Sequence, residues 1–231
     1  FGFIFTFFSS FGQSYFLGLF NSSIRDTLSI THGQFGSIYA SATLFSSVLL
    51  IWVGKKIDDV NIFKFAIFVT ILLAFACFFF SKISSILLLF IGIFLMRFSG
   101  QGMMSHTAST TISRYFTKTR GRALSISWFG LSSAEFILPV LMVYLLTLIE
   151  WQNLWIIFSF TVLIVLPVAS FSLIRNLKLS SREGQDENVK EVEIKQWQRR
   201  EVIKDYRFYI ISLNMLSMPW IFTGFAVFQS F

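Results

Sequence analysis

Long apolar runs alternate with short polar breaks along most of this chain. A helix needs about 20 apolar residues to cross a hydrocarbon core of about 30 Å. Such runs fall at 1–20, 34–53, 62–80, 85–111, 123–148 and 153–174, and a seventh begins at 207–231. Strand-like alternation in segments of about ten residues, the sign of a membrane barrel, is missing. Backbone groups in lipid must be satisfied internally, so the runs are expected to be helices and the fold an all-α membrane protein. Only 175–206 interrupts the pattern for long, and it is dense in charge. The expected organisation is a six-helix bundle at 1–174, a cytoplasmic central loop at 175–206 and a truncated helix seven at 207–231. Val189, Val192 and Trp197 could give the loop a weak apolar stripe; a solvated tether is the plainer reading. The chain opens at Phe1 and closes at Phe231, each inside an apolar run, and reads as a fragment of a longer protein.

Composition sharpens this. Hydrophobic residues make up 55% and charged residues 13%, with 31 Phe. A soluble domain carries about 25% charged residues. The single Cys77 excludes an intramolecular disulfide and a Cys-based metal cluster. The net charge of +7 reflects topology, not nucleic-acid binding, because the cations sit in alternate loops beside acids. Lys55, Lys56 and Lys64 follow the second run; Arg114, Lys118, Arg120 and Arg122 follow the fourth; nine more lie from Arg175 to Arg207. The other loops carry only Arg25 and Lys82. The positive-inside rule places the basic loops in the cytoplasm.

The spans differ in polarity. The third and sixth are nearly all apolar and suit a supporting, lipid-facing place. The first, second, fourth and fifth carry Gly, Ser, Thr, Gln and charges and are expected to surround something polar. Gly33, Ser37 and Ser41, four apart, form a small-residue stripe expected to let helix backbones approach. Helices 1–3 and 4–6 read as two triplets, with Gly12-Gln13-Ser14 echoed by Gly100-Gln101-Gly102. Paired three-helix repeats are a transporter device.

Three stretches carry a family resemblance. Gly54-Lys55-Lys56-Ile57-Asp58 with Lys64, Arg97-Phe98-Ser99-Gly100-Gln101-Gly102, and Arg114-Tyr115-Phe116 through Arg120-Gly121-Arg122-Ala123-Leu124 resemble motifs of the major facilitator superfamily. Trp197 to Tyr209 is similar to the lead-in to helix seven of bacterial members related to the monocarboxylate and oxalate/formate carriers. The sequence departs at Asp59, where a basic residue is usual, and at Asn61, where Gly is usual. The resemblance implies the N-terminal half of a twelve-helix carrier in a membrane, the bacterial inner membrane by its flavour, with helices one and four facing a central cavity. It implies no cofactor. Ala134-Glu135-Phe136-Ile137-Leu138-Pro139 lacks the glycines of the family's drug–proton antiporters, which makes drug export a poorer fit.

Arg97 falls near the middle of the fourth span. A charge there costs at least about 2.5–3.5 kcal/mol on insertion scales, so it needs water, a carboxylate or carbonyls. Guanidinium does not shed its proton. Arg97 is therefore a candidate substrate-binding residue, with Gln101 one turn on and Gln13 in the first span; Ser105 extends the same face. Glu135 in the fifth span is a candidate proton carrier, or equally the fixed partner of Arg97. Pro139 frees a backbone carbonyl at the same depth. Asp58 is expected to anchor neighbouring helix ends through a basic residue, and by resemblance Asp58 and Gly54 belong to the gate. His106 reads as a helix-packing donor, and His32 as structural. Asn21-Ser22-Ser23 is a glycosylation sequon in an outer loop.

Zinc-hydrolase, nucleophile-elbow and phosphate-loop signatures are missing, so no enzyme and no metal site is expected. Two function classes remain. One is a secondary carrier for a small solute, an organic anion if Arg97 is free, with proton symport through Glu135. The other is a transport-inactive sensor or interaction protein on a carrier fold, to which Asp59 gives weight.

Overall fold

The computed structural model describes residues 1–116, 118–173 and 199–228. The stripe of Val189, Val192 and Trp197, with most of the central loop, lies outside the described residues. Every described element is helical. The order is α1 (Gly2–Ser9), α2 (Ser14–Gly18), α3 (Asn21–Leu28), α4 (His32–Val53), α5 (Lys56–Asp59), α6 (Ile62–Phe80), α7 (Ile86–Met96), α8 (Ser105–Tyr115), α9 (Arg120–Leu146), α10 (Trp151–Leu173), α11 (Arg199–Lys204) and α12 (Tyr206–Phe228). A 3-10 turn, Ser10–Gly12, separates α1 from α2, and a π segment, Arg97–Met104, joins α7 to α8.

Five helical stretches are long and apolar enough to cross a membrane: His32–Asp59, Ile62–Phe80, Ile86–Tyr115, Arg120–Leu146 and Trp151–Leu173. The first span is different. Its expected single helix over 1–20 is broken at Gln13, whose φ of −81° and ψ of 153° are extended. The chain bends again, by 65°, between Gly18 and Asn21. Ser9, Ser10 and Gly12 are poor helix formers, and the run of Phe around them hides the break from an apolar count. The sequon is corrected too. Asn21 is fully buried at the start of α3, where its Oδ1 accepts a 2.9 Å bond from Arg25 Nε.

Two layers emerge. α6 and α10 pack along their length, stitched by a 2.8 Å bond from Ser159 Oγ to the Ala74 carbonyl. Phe68, Phe75, Phe160 and Ile164 point outward from this pair. Between it and the first span lies an aromatic cluster: Trp155, wholly buried, has ring centroids 4.7 Å from Phe80, 5.0 Å from Phe20 and 5.7 Å from Phe16. These rings back the broken first span, giving an interrupted helix a rigid wall. α1 crosses α9 closely. A Cβ on Gly130 would lie 2.1 Å from the Phe3 carbonyl, and Thr6 donates to the Ser127 carbonyl. Ser127, Gly130 and Ala134 form the small-residue face of this crossing. Gly33, Ser37 and Ser41 bring no backbone close among the described residues, against expectation: nothing lies within 4 Å of a Cβ on Gly33, and Ser37 Oγ and Ser41 Oγ bond back to carbonyls of their own helix.

The basic loops after the second and fourth spans meet at one end. Asp58 meets Arg114, and Phe1, Phe116, Thr119 and Arg122 line one crevice of about 400 Å³. At the other end Trp151 Nε1 donates to Thr27 Oγ1 at 3.2 Å. The native Cys77 is buried. Cysteine at Ser84 is therefore expected to react with an impermeant external thiol reagent, and cysteine at Lys118 is not. The reverse labelling in intact cells would contradict the orientation.

Candidate functional site

The site forms where two imperfect helices cross. Gly12 and Gly100 meet backbone to backbone: a Cβ on Gly100 would sit 2.7 Å from Gly12 N and 2.8 Å from its Cα. A Cβ on Gly12 would sit 2.3 Å from the Met96 carbonyl and 2.5 Å from Gln101 N. The echoed tripeptides thus touch. Each sits at a distortion, one an extended break and the other a π segment, and such distortions are frequent at functional sites. Gly100→Ala is expected to destabilise the folded carrier by about 1–3 kcal/mol, because only backbone surrounds the added methyl. Gly33→Ala, in open space, is the control. A thermal melt of the detergent-solubilised protein separates the two; equal melting temperatures for Gly100→Ala and the parent would contradict the crossing.

The break matters because it releases a carbonyl. The α2 ladder begins at Gln13, whose carbonyl takes Leu17 N at 3.1 Å. The Gly12 carbonyl lies just before it and accepts Arg97 Nη1 at 3.0 Å. The same Nη1 donates to Ser14 Oγ at 3.2 Å. Tyr39 of α4 donates to Ser14 Oγ at 2.8 Å, and its ring centroid lies 5.3 Å from Arg97 Cζ. Arg97 is 5% exposed. Its Nε is buried without a partner. Ser14 and Tyr39 are partners of Arg97 that the sequence does not reveal, since no fixed spacing links positions 14, 39 and 97.

Gln13 and Gln101 flank the crossing, half-buried, and neither side chain makes a hydrogen bond among the described residues. Glu135 is elsewhere. It is exposed on α9, within electrostatic reach of the half-buried Tyr15 of α2. Among the described residues Arg97 forms no ion pair, with Glu135 or with any other acid. Pro139 lies inside α9 and lacks an N–H, so the Glu135 carbonyl loses its helical donor.

A second cluster closes the end that carries Arg114 and Asp58. Arg114 Nη2 pairs with Asp58 Oδ1, and Arg114 Nη1 donates to the Ile57 carbonyl at 3.2 Å. His106 Nε2 lies 2.9 Å from the Gly54 carbonyl. A carbonyl only accepts, so this nitrogen carries the proton. Gly54, which caps α4, and Asp58 of α5 are thus both tied to the fourth span. Asp59 is exposed. No group of His, Cys, Asp and Glu able to hold a metal ion occurs among the described residues.

The family model described as Major Facilitator Superfamily matches residues 2–231. Comparison with curated proteins gave no match, and neither did comparison with solved structures. Helices of membrane-spanning length, an interrupted first span crossed by the Gly100 segment of the fourth, and a family match along almost the whole chain lead to one conclusion: this chain belongs to the Major Facilitator Superfamily, whose members are multi-pass membrane transporters of small molecules.

Proposed function

We propose that this carrier moves a small organic anion together with a proton by alternating access. Arg97 is the observation that carries the reading. It is a buried cation with no acidic partner among the described residues, held by a carbonyl and a hydroxyl, with an unpaired Nε. A lone buried guanidinium is costly, and a carboxylate taking two parallel hydrogen bonds offsets that cost. Gln13 and Gln101 flank it and supply neutral donors and acceptors to the rest of the solute.

Glu135 is the proton carrier in this reading. Loading an anion with a proton keeps the cavity close to neutral. Asp58 and Gly54 belong to the gate. The Arg114–Asp58 pair has side chains 28% and 68% exposed. Such exposed pairs are worth about 0–1 kcal/mol, weak enough to break and reform in each cycle. The domain division is the one expected from sequence, with 1–174 as one half and 207–231 opening the other, and the setting is a bacterial inner membrane.

Uptake into proteoliposomes tests the proposal. Acetate, lactate, pyruvate and benzoate are offered under an outside-acid gradient, with acetamide and lactamide as neutral controls. Accumulation of a carboxylate beyond that in protein-free liposomes under the same gradient, and not of its amide, is expected. Transport of neutral or cationic solutes alone would overturn it. Asp59, an acid where the family's loop carries a base, favours the second reading, a sensor on a carrier fold; an inserted protein that moves none of these solutes, and no cationic or neutral solute either, would decide for that.

A further inference from the structure

We infer that Tyr39 and Ser14 are positioning residues that turn the Nε/Nη2 edge of Arg97 toward the transported anion. The inference rests on the reading of Arg97 as the anion site.

A guanidinium has two ways to fail as a carboxylate receptor. It can rotate about its own stem, or it can spend its fork on the protein. Both are blocked here. Nη1 alone is engaged, by the Gly12 carbonyl at 3.0 Å and Ser14 Oγ at 3.2 Å. The Tyr39 ring lies against the guanidinium at 5.3 Å, inside the range of a cation–π contact. Tyr39 is itself fixed twice. Its hydroxyl donates to the same Ser14 oxygen at 2.8 Å, and Phe35, one turn earlier, stacks on its ring with centroids 6.3 Å apart. A hydroxyl oxygen has two lone pairs, so Ser14 can accept from Arg97 and Tyr39 together.

The remaining edge has the geometry a carboxylate uses; it is closed here, so the anion reaches it only in a state of the cycle that opens the cavity. Nε is buried and unpartnered, and Nη2 makes no hydrogen bond among the described residues. Nε and Nη2 point their N–H groups in parallel, which is the bidentate arrangement. The three residues come from three different spans. Any movement of the first span against the second therefore passes through Ser14 to the guanidinium.

A role through Arg97 predicts a particular kinetic signature in the whole carrier, reconstituted and assayed with the best-transported carboxylate of acetate, lactate, pyruvate and benzoate. Tyr39→Phe keeps the ring and loses the bond to Ser14; KM should rise about threefold. Tyr39→Leu loses both, and KM should rise about tenfold or more. Ser14→Ala should raise KM by a similar several-fold, and adding Tyr39→Phe to it should change little, because the lost bond is shared. Vmax should fall much less than KM rises in each. A drop in Vmax at unchanged KM would make Tyr39 a packing residue and overturn the inference. Should Tyr39→Leu fail to insert, Ser14→Ala decides, and an unchanged KM there overturns it as well. Arg97→Gln separates the two levels. Loss of carboxylate uptake in Arg97→Gln with unchanged KM in Tyr39→Leu removes only the positioning role. Unchanged uptake in Arg97→Gln removes the anion site itself.

Discussion

Arg97→Gln is expected to abolish carboxylate uptake at any practical concentration. Removing one partner from a buried, hydrogen-bonded charge pair costs about 2–5 kcal/mol, which is about thirtyfold to several thousandfold in affinity. Most of that penalty falls on the substrate carboxylate, which enters the cavity and finds no fork. Gln ends two bonds short of Nη1 and gives up the bond to the Gly12 carbonyl, but it also removes a buried charge that has no acidic partner among the described residues, which offsets that loss. Normal insertion with absent uptake is therefore the expected pair of results, read by fluorescence-detected size exclusion and by proteoliposome flux. Arg97→Lys keeps the charge but presents a point donor on a flexible stem. It is expected to lie between, with a weakened KM and measurable flux. Equal KM values for Arg and Lys at this position would rule out bidentate binding.

Glu135→Gln carries the second large effect. The carboxamide is close in shape but cannot take up a proton. If the anion enters with a proton on Glu135, the variant should lose pH-driven accumulation, and the internal concentration should stop at equilibration. Exchange of external for internal substrate needs no net proton movement and should continue. Glu135 is exposed on α9 in this half, so the substitution leaves no buried group unpaired and the fold should persist. Parallel flux assays with and without a gradient measure both quantities. Retained uphill accumulation in Glu135→Gln would place the coupling proton on another group.

Much of the fold is written in apolar run length. Ile62–Phe80 is read from sequence to the residue, because a polar Asn61 and Ser81 bound an unbroken apolar stretch. The first span is misread for the same reason. Phe residues on both sides of Gly12-Gln13 keep the run apolar while the backbone between them leaves the helix. The sequence marks the break only through Ser, Gly and Gln, and the same residues also mark a cavity wall.

The site is legible in part. Arg97 stands out because a charge in mid-span demands an explanation. What answers that demand is not legible. Glu135 matches Arg97 in depth and looks like its partner on paper; in the folded chain a backbone carbonyl, Ser14 and Tyr39 surround the guanidinium instead. Hydroxyls and carbonyls are too common for any spacing rule to single these out. Asp58 shows the opposite case, since its need for a basic neighbour was clear and only the identity of Arg114 was missing.

The central claim is that Arg97 acts alone as the cavity cation and is not one half of a fixed pair with Glu135. Carboxylate uptake by the Arg97→Gln/Glu135→Gln double variant tests it most directly. The double variant is expected to insert normally and to stay as inactive as Arg97→Gln. Recovery of expression and transport in the double variant, after failure of both single ones, would contradict it and leave the charge of the substrate open.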